Sequence, residues 1–189
     1  MSILLILLSP GPGCHNLEVC KYLVEELGGD PNMSGGEGVT PFMASAQSGD
    51  ISTVKYLFDH GGDLMKPDTK GRTVLHHAVC SGSSTVTEFL LSKGIPVDID
   101  YGFGTPLYHA CINEQDKTVK ILLNHHANPN TISCGIGTPL NGALIYRSLK
   151  CMKLLIKEIP VNLQLLPKSV WREIASLVHR RGFSVVVLP

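Results

Sequence analysis

The feature that most constrains this chain is that it repeats itself. Four segments align: GVTPFMASA from Gly38, GRTVLHHAV from Gly71, GTPLYHAC from Gly104 and GTPLNGAL from Gly137. Their threonines, Thr40, Thr73, Thr105 and Thr138, are spaced by 33, 32 and 33 residues. A second set of columns keeps the register: Leu57, Leu90, Leu122 and Leu154, followed by Phe58, Leu91, Leu123 and Leu155. Two independent columns at one period require a unit that recurs along the chain, with each copy burying its apolar face against the next.

Each unit has the chemistry of a helix pair. Thr40, Thr105 and Thr138 precede a proline. The hydroxyl caps a free amide, and proline sits where no intrahelical partner exists. Ala78, Ala110 and Ala143 are small residues on the first helix, where the second must approach closely. TVKYLFDHG and TVKILLNHH carry apolar residues at i, i+3 and i+4, one buried stripe. Gly61 and Gly94 stand where a helix end needs a left-handed residue. His126 and Glu158 hold that column later, so the last two helix ends are expected to be less regular. The connecting loops (31–39, 66–72, 99–104 and 131–137) are rich in Gly, Asp, Asn and Ser, as hairpin-like turns require.

A 33-residue period with a Thr-Pro-Leu-His-x-Ala start resembles the ankyrin family. The resemblance implies an all-α solenoid of stacked helix-turn-helix units, with the loops projecting beside a concave face built from the first helices. It covers residues 16–162: a partial first repeat, NLEVCKYLVEELGGDPN, then about four units. The ends depart from it. Residues 1–15 are irregular, and 163–189 form an atypical cap or tail in which Val170 replaces the next Thr and SVWREIASLVH reads as one amphipathic helix. The chain is also similar to the ankyrin half of plant proteins that join ankyrin to tetratricopeptide repeats, although it contains no tetratricopeptide segment.

Composition narrows the function. Lys+Arg and Asp+Glu are both 16 in 189 residues. This balance argues against nucleic acid or an anionic membrane as partner, since such binders usually carry a basic surplus. The run Ile3–Leu8 is too short to span a bilayer at ~20 residues, and no basic segment precedes it as in a secretory signal. Six cysteines (14, 20, 80, 111, 134 and 151) include no CxxC pair, which suits reduced thiols in the cytoplasm or nucleus.

Catalytic and metal-binding signals are weak. His76–His77 and His125–His126 are adjacent pairs, and neighbours on a helix diverge by about 100°, a poor geometry for chelation. His76 fills the signature histidine slot, where it would bond the capping threonine and the neighbouring loop. Cys20 and Cys151 fall in the column of Val54 and Val119, and Cys111 in that of Ala46, Val79 and Leu144, so they read as small core hydrophobes. Cys80 and Cys134 fall in exposed columns. No GxSxG elbow, P-loop or HExxH occurs, and GGEGVTP lacks the Lys-Ser/Thr of a phosphate loop.

A non-enzymatic protein-binding scaffold remains, without cofactor or metal, acting as a monomer. By resemblance, partners touch the loop tips Glu37, Val39, Lys70, Arg72, Tyr101 and Phe103. They also touch the first-helix ends: Gln47 and Ser48, Cys80 and Ser81, Ile112 and Asn113, and Ile145 and Tyr146. Two alternatives stand beside this. One is a substrate adapter of a ubiquitin ligase: ankyrin repeats are often joined to a SOCS box, and LPKSVWREIASLVHRRG resembles one, with Arg181 where the box carries a cysteine. The other is a metal- or thiol-dependent enzyme.

Overall fold

The computed structural model describes residues 17–133 and 137–158. The irregular segment 1–15, Cys14, Cys134 and the tail 163–189, including the SOCS-like stretch, lie outside the described residues.

Among the described residues the architecture is helical. The elements are α1 (Leu17–Glu25), α2 (Pro41–Ser48), α3 (Ile51–Asp59), α4 (Val74–Ser81), α5 (Ser84–Ser92), α6 (Pro106–Ile112), α7 (Asp116–Asn124), α8 (Pro139–Ile145) and α9 (Leu149–Glu158). They pack as two layers. The first helices α2, α4, α6 and α8 stand side by side in chain order, and α1, α3, α5, α7 and α9 form the second layer behind them. Each first helix also packs on its own second helix, α2 on α3 through to α8 on α9. This is the expected solenoid.

The threonines start the first helices as their chemistry requires. Oγ1 of Thr40, Thr105 and Thr138 accepts from the amides of Met43, Tyr108 and Asn141 at 3.2, 3.3 and 3.3 Å. In the second unit the device is reversed. The Thr73 amide donates to Nδ1 of His76 at 3.2 Å, and the same ring reaches the Ile99 carbonyl of the next unit through Nε2 at 3.0 Å. Replacing Thr105 by alanine is expected to cost ~1 kcal/mol in chemical denaturation with binding unchanged. Loss of binding at unchanged stability would make Thr105 a contact residue instead.

Ala78, Ala110 and Ala143 are fully buried between the layers, with Leu57, Leu90 and Leu122 behind them. The last helix departs from the columns above. Cys151, Met152 and Leu155 are buried while Leu154 is only partly so. The equivalent of Leu122 is therefore Leu155, and Cys151 shares the column of Thr118 rather than Val119. The dipeptides Leu122–Leu123 and Leu154–Leu155 look alike. The period set by Thr105 and Thr138, however, places the buried leucine one residue later, and burial follows the period.

A second correction concerns helix ends. His126 adopts the left-handed conformation, φ 65°, in the place where Gly61 has φ 94°. Its end is as regular as the earlier one: His126 and Ala127 donate to Leu123 and Leu122 at 2.9 and 3.0 Å, as Gly61 and Gly62 do to Phe58 and Leu57 at 3.0 and 2.9 Å. The left-handed region is open to histidine at modest cost, so the motif survives without glycine. The residues beyond Glu158 lie outside the described set.

Candidate partner-binding surface

The loops between units are built as braced fingers. Asp68 is buried, and its Oδ1 accepts from the amides of Lys70 and Arg72 at 2.9 Å each. Its Oδ2 receives Nε of Arg72 at 2.8 Å and lies 3.2 Å from Nε2 of buried His77. Burial raises the Asp68 carboxyl, but the two Arg72 hydrogen bonds and its charge more than offset that, leaving the pKa below the ordinary value. The next finger repeats the device, with Asp100 Oδ1 accepting from Gly102 and Gly104 at 2.8 and 3.2 Å. There His109 takes the place of His77. Its Nε2 lies 2.9 Å from the Tyr101 hydroxyl, the two rings stack with centroids 5.5 Å apart, and Phe103 hydrogen-bonds it through the backbone. Burial lowers the pKa of both histidines, so each is a neutral ring under ordinary conditions.

Adjacent fingers are tied together. Thr69 donates to the Glu37 carbonyl through both its amide and its hydroxyl, each at 2.9 Å. Gly38 must be glycine here: its φ is 73°, and a Cβ would stand 2.8 Å from the Thr69 nitrogen.

This scaffold sorts the sequence candidates. Lys70 is exposed and paired with Glu37 at 3.1 Å. Arg72 is largely occupied in holding Asp68, so its guanidinium is chiefly a brace for the finger. Tyr101 is half-buried against His76 and His109, whereas Phe103 at the tip is 66% exposed. Gln47, Cys80, Ser81 and Asn113 are exposed, and Ser48, Val39 and Ile112 are half-buried. Ile145 and Tyr146 are 68% and 53% exposed. Asp68, His77 and His109 escaped the sequence reading. The available signal was that His77 and His109 occupy one column, 32 residues apart, in which the other units carry Ala44 and Gly142.

The thiols and imidazoles contain little sign of chemistry. Cys20, Cys80, Cys111 and Cys151 are free thiols. The Cys80 thiol is held above its ordinary pKa, chiefly by desolvation, which works against a reactive thiolate. Cys151 is brought to about 7 by the Cys111 thiol beside it, yet its side chain is fully buried. Among the described residues no group of three or more His, Cys, Asp and Glu could hold a metal ion. No helix among them is long and apolar enough to cross a membrane.

Helix pairs stacked at a 33-residue period, capped by Thr-Pro and joined by braced fingers, define a repeat scaffold that presents a surface rather than a cleft. The family model for Ankyrin repeats (3 copies) matches residues 12–101 and 96–164. The chain belongs to the ankyrin-repeat family. It is similar to the rat protein "Diacylglycerol kinase zeta", 36% identical over 81 residues, which are 43% of this chain and 8% of that protein. It is likewise similar to the mouse "Ankyrin and armadillo repeat-containing protein", 35% identical over 57 residues, 30% of this chain and 4% of that one. The chain thus spans a tenth or less of these relatives, and the likeness is confined to the repeats. Among solved structures, the ankyrin repeat domain of human ASB11 superposes with a TM-score of 0.75 at 25% identity, covering 83% of this chain and 69% of that one. Ankyrin repeats are generally protein-interaction modules, and this fold is typically non-enzymatic.

Proposed function

We propose that residues 16–162 form an interaction module that binds a protein partner through its loop tips and concave face. The contact residues are Lys70, Arg72, Tyr101, Phe103, Ile112, Asn113, Ile145 and Tyr146, and the segments 1–15 and 163–189 are its irregular ends. One observation carries the reading: Asp68, His77 and His109 spend their hydrogen bonds inside the fingers, and the large side chains of Phe103, Ile145 and Tyr146 remain outward. A rigid support for exposed aromatic and aliphatic anchors lowers the ordering cost of association. Net formal charge of zero favours a protein partner over nucleic acid or an anionic membrane. Four free thiols suit a monomer working in the reducing cytoplasm or nucleus.

Affinity purification with the intact chain tests this. A partner captured by the wild type should be lost when Phe103→Asp and Ile145→Asp are combined. It should be retained by Lys120→Glu, a change on the exposed side of α7 in the other layer. Loss through Lys120→Glu with the double variant still binding would contradict the concave-face reading.

A further inference from the structure

Two rows of residues end the first helices. The inner row is Gln47, Cys80, Ile112 and Ile145, and the outer row is Ser48, Ser81, Asn113 and Tyr146. Both rows change character along the stack. The early units offer an amide, a thiol and two hydroxyls, whereas the last two offer Ile112, Ile145 and Tyr146. Ile145 and Tyr146 are 68% and 53% exposed in columns that the earlier units fill with Gln47, Ser48, Cys80 and Ser81. Apolar surface kept in water at equivalent positions of a repeat points to a surface that is covered in use.

The same surface has little charge to offer. Lys70 is paired with Glu37 at 3.1 Å and Arg72 with Asp68 at 2.8 Å, so the fingers neutralise themselves. Glu114 and Arg147, just past the ends of α6 and α8, are opposite in sign. The two apolar helix ends also lie close together. Position 142 of α8 is glycine, and a Cβ there would stand 2.8 Å from Cγ2 of Ile112 and 2.9 Å from Cε2 of Tyr108.

Building on the concave-face reading above, we infer that the last two units grip an extended, nearly uncharged protein segment by its large apolar side chains, with Ile112, Ile145 and Tyr146 as the seat and Phe103 at its edge. Neighbouring helices sit about 8–10 Å apart and an extended chain advances about 3.3 Å per residue, so successive anchors of the segment fall about three residues apart. The contact is dry and apolar, and salt leaves it largely unchanged.

Selection of a displayed library of random peptides of about twelve residues against the intact chain tests the inference. Enriched peptides should carry two or more of Leu, Ile, Phe, Met or Trp about three residues apart, with little net charge. Their affinity should change less than about twofold between roughly 50 and 500 mM salt. It should fall at least about tenfold with Ile145→Asp or Phe103→Asp and stay unchanged with Lys120→Glu. Enrichment of strongly charged, salt-sensitive peptides that still depend on Ile145 and Phe103 would overturn the apolar assignment and leave the concave-face reading standing. Peptides lost with Lys120→Glu and indifferent to Ile145 and Phe103 would overturn both. Failure to enrich any peptide would overturn the extended segment as occupant. So would self-association of the chain, seen by sedimentation and abolished by Ile145→Asp, since the seat would then belong to a second copy.

Discussion

Truncating Leu122 to alanine is expected to lower the unfolding free energy by about 2–5 kcal/mol. Leu122 is fully buried in α7, which packs on α5, α6 and α9, so the cavity opens where three helices meet and no single one can collapse into it. The same experiment tests the corrected register of the last helix. Leu155→Ala should cost several times more than Leu154→Ala, because Leu155 is fully buried and Leu154 only partly so. Urea denaturation of the three variants measures all of this. A loss under about 1 kcal/mol for Leu122→Ala, or equal losses at 154 and 155, would mean that the buried face has been assigned wrongly.

Mild acid is expected to have the next largest effect. Burial, followed by the neighbouring His109, lowers the His76 pKa from the ordinary 6.5 to about 4. A histidine depressed in this way is neutral in the fold and takes up a proton when unfolded. Its contribution to stability is therefore complete above pH 6.5 and is lost as pH falls towards 4. Linkage puts the loss between pH 7 and pH 5 at about 2 kcal/mol. His77 and His109, depressed by burial, add to it in the same direction. The structural cause is specific. Nε2 of His76 donates to the Ile99 carbonyl while Nδ1 accepts from Thr73, an arrangement that needs one proton on the ring. Stability measured against pH, with the imidazole resonances followed in parallel, should show His76 still neutral at pH 5. Titration of His76 near 6.5 with flat stability would contradict the account.

The residues differ in how plainly they announce their place. Thr40, Thr105 and Thr138 could be read directly, because a hydroxyl before a proline has few uses besides starting a helix. The leucine pairs were less decisive: two adjacent apolar residues fit a helix face in either of two registers, and only the threonine period separates Leu154 from Leu155. His126 misled because glycine is the usual left-handed residue, while the hydrogen bonds it supports need only the conformation. The finger braces were the least legible. Asp68 reads as one more polar loop residue, and its burial depends on His77, nine positions away on a helix whose orientation a loop sequence does not encode. The same holds for Arg72, which looks like a free cation until Asp68 is found against it. Phe103, Ile145 and Tyr146 could be placed by the repeat columns, and their outward setting matches that placement.

The central claim is that partners meet the loop tips and first-helix ends, and amide exchange in the presence of a captured partner measures it most directly. The account predicts slowed exchange across 101–113 and 138–146, with Ile51–Asp59, Ser84–Ser92 and Asp116–Asn124 exchanging as in the free chain. Protection confined to those three second helices, with the loop tips and first-helix ends unaffected, would contradict it.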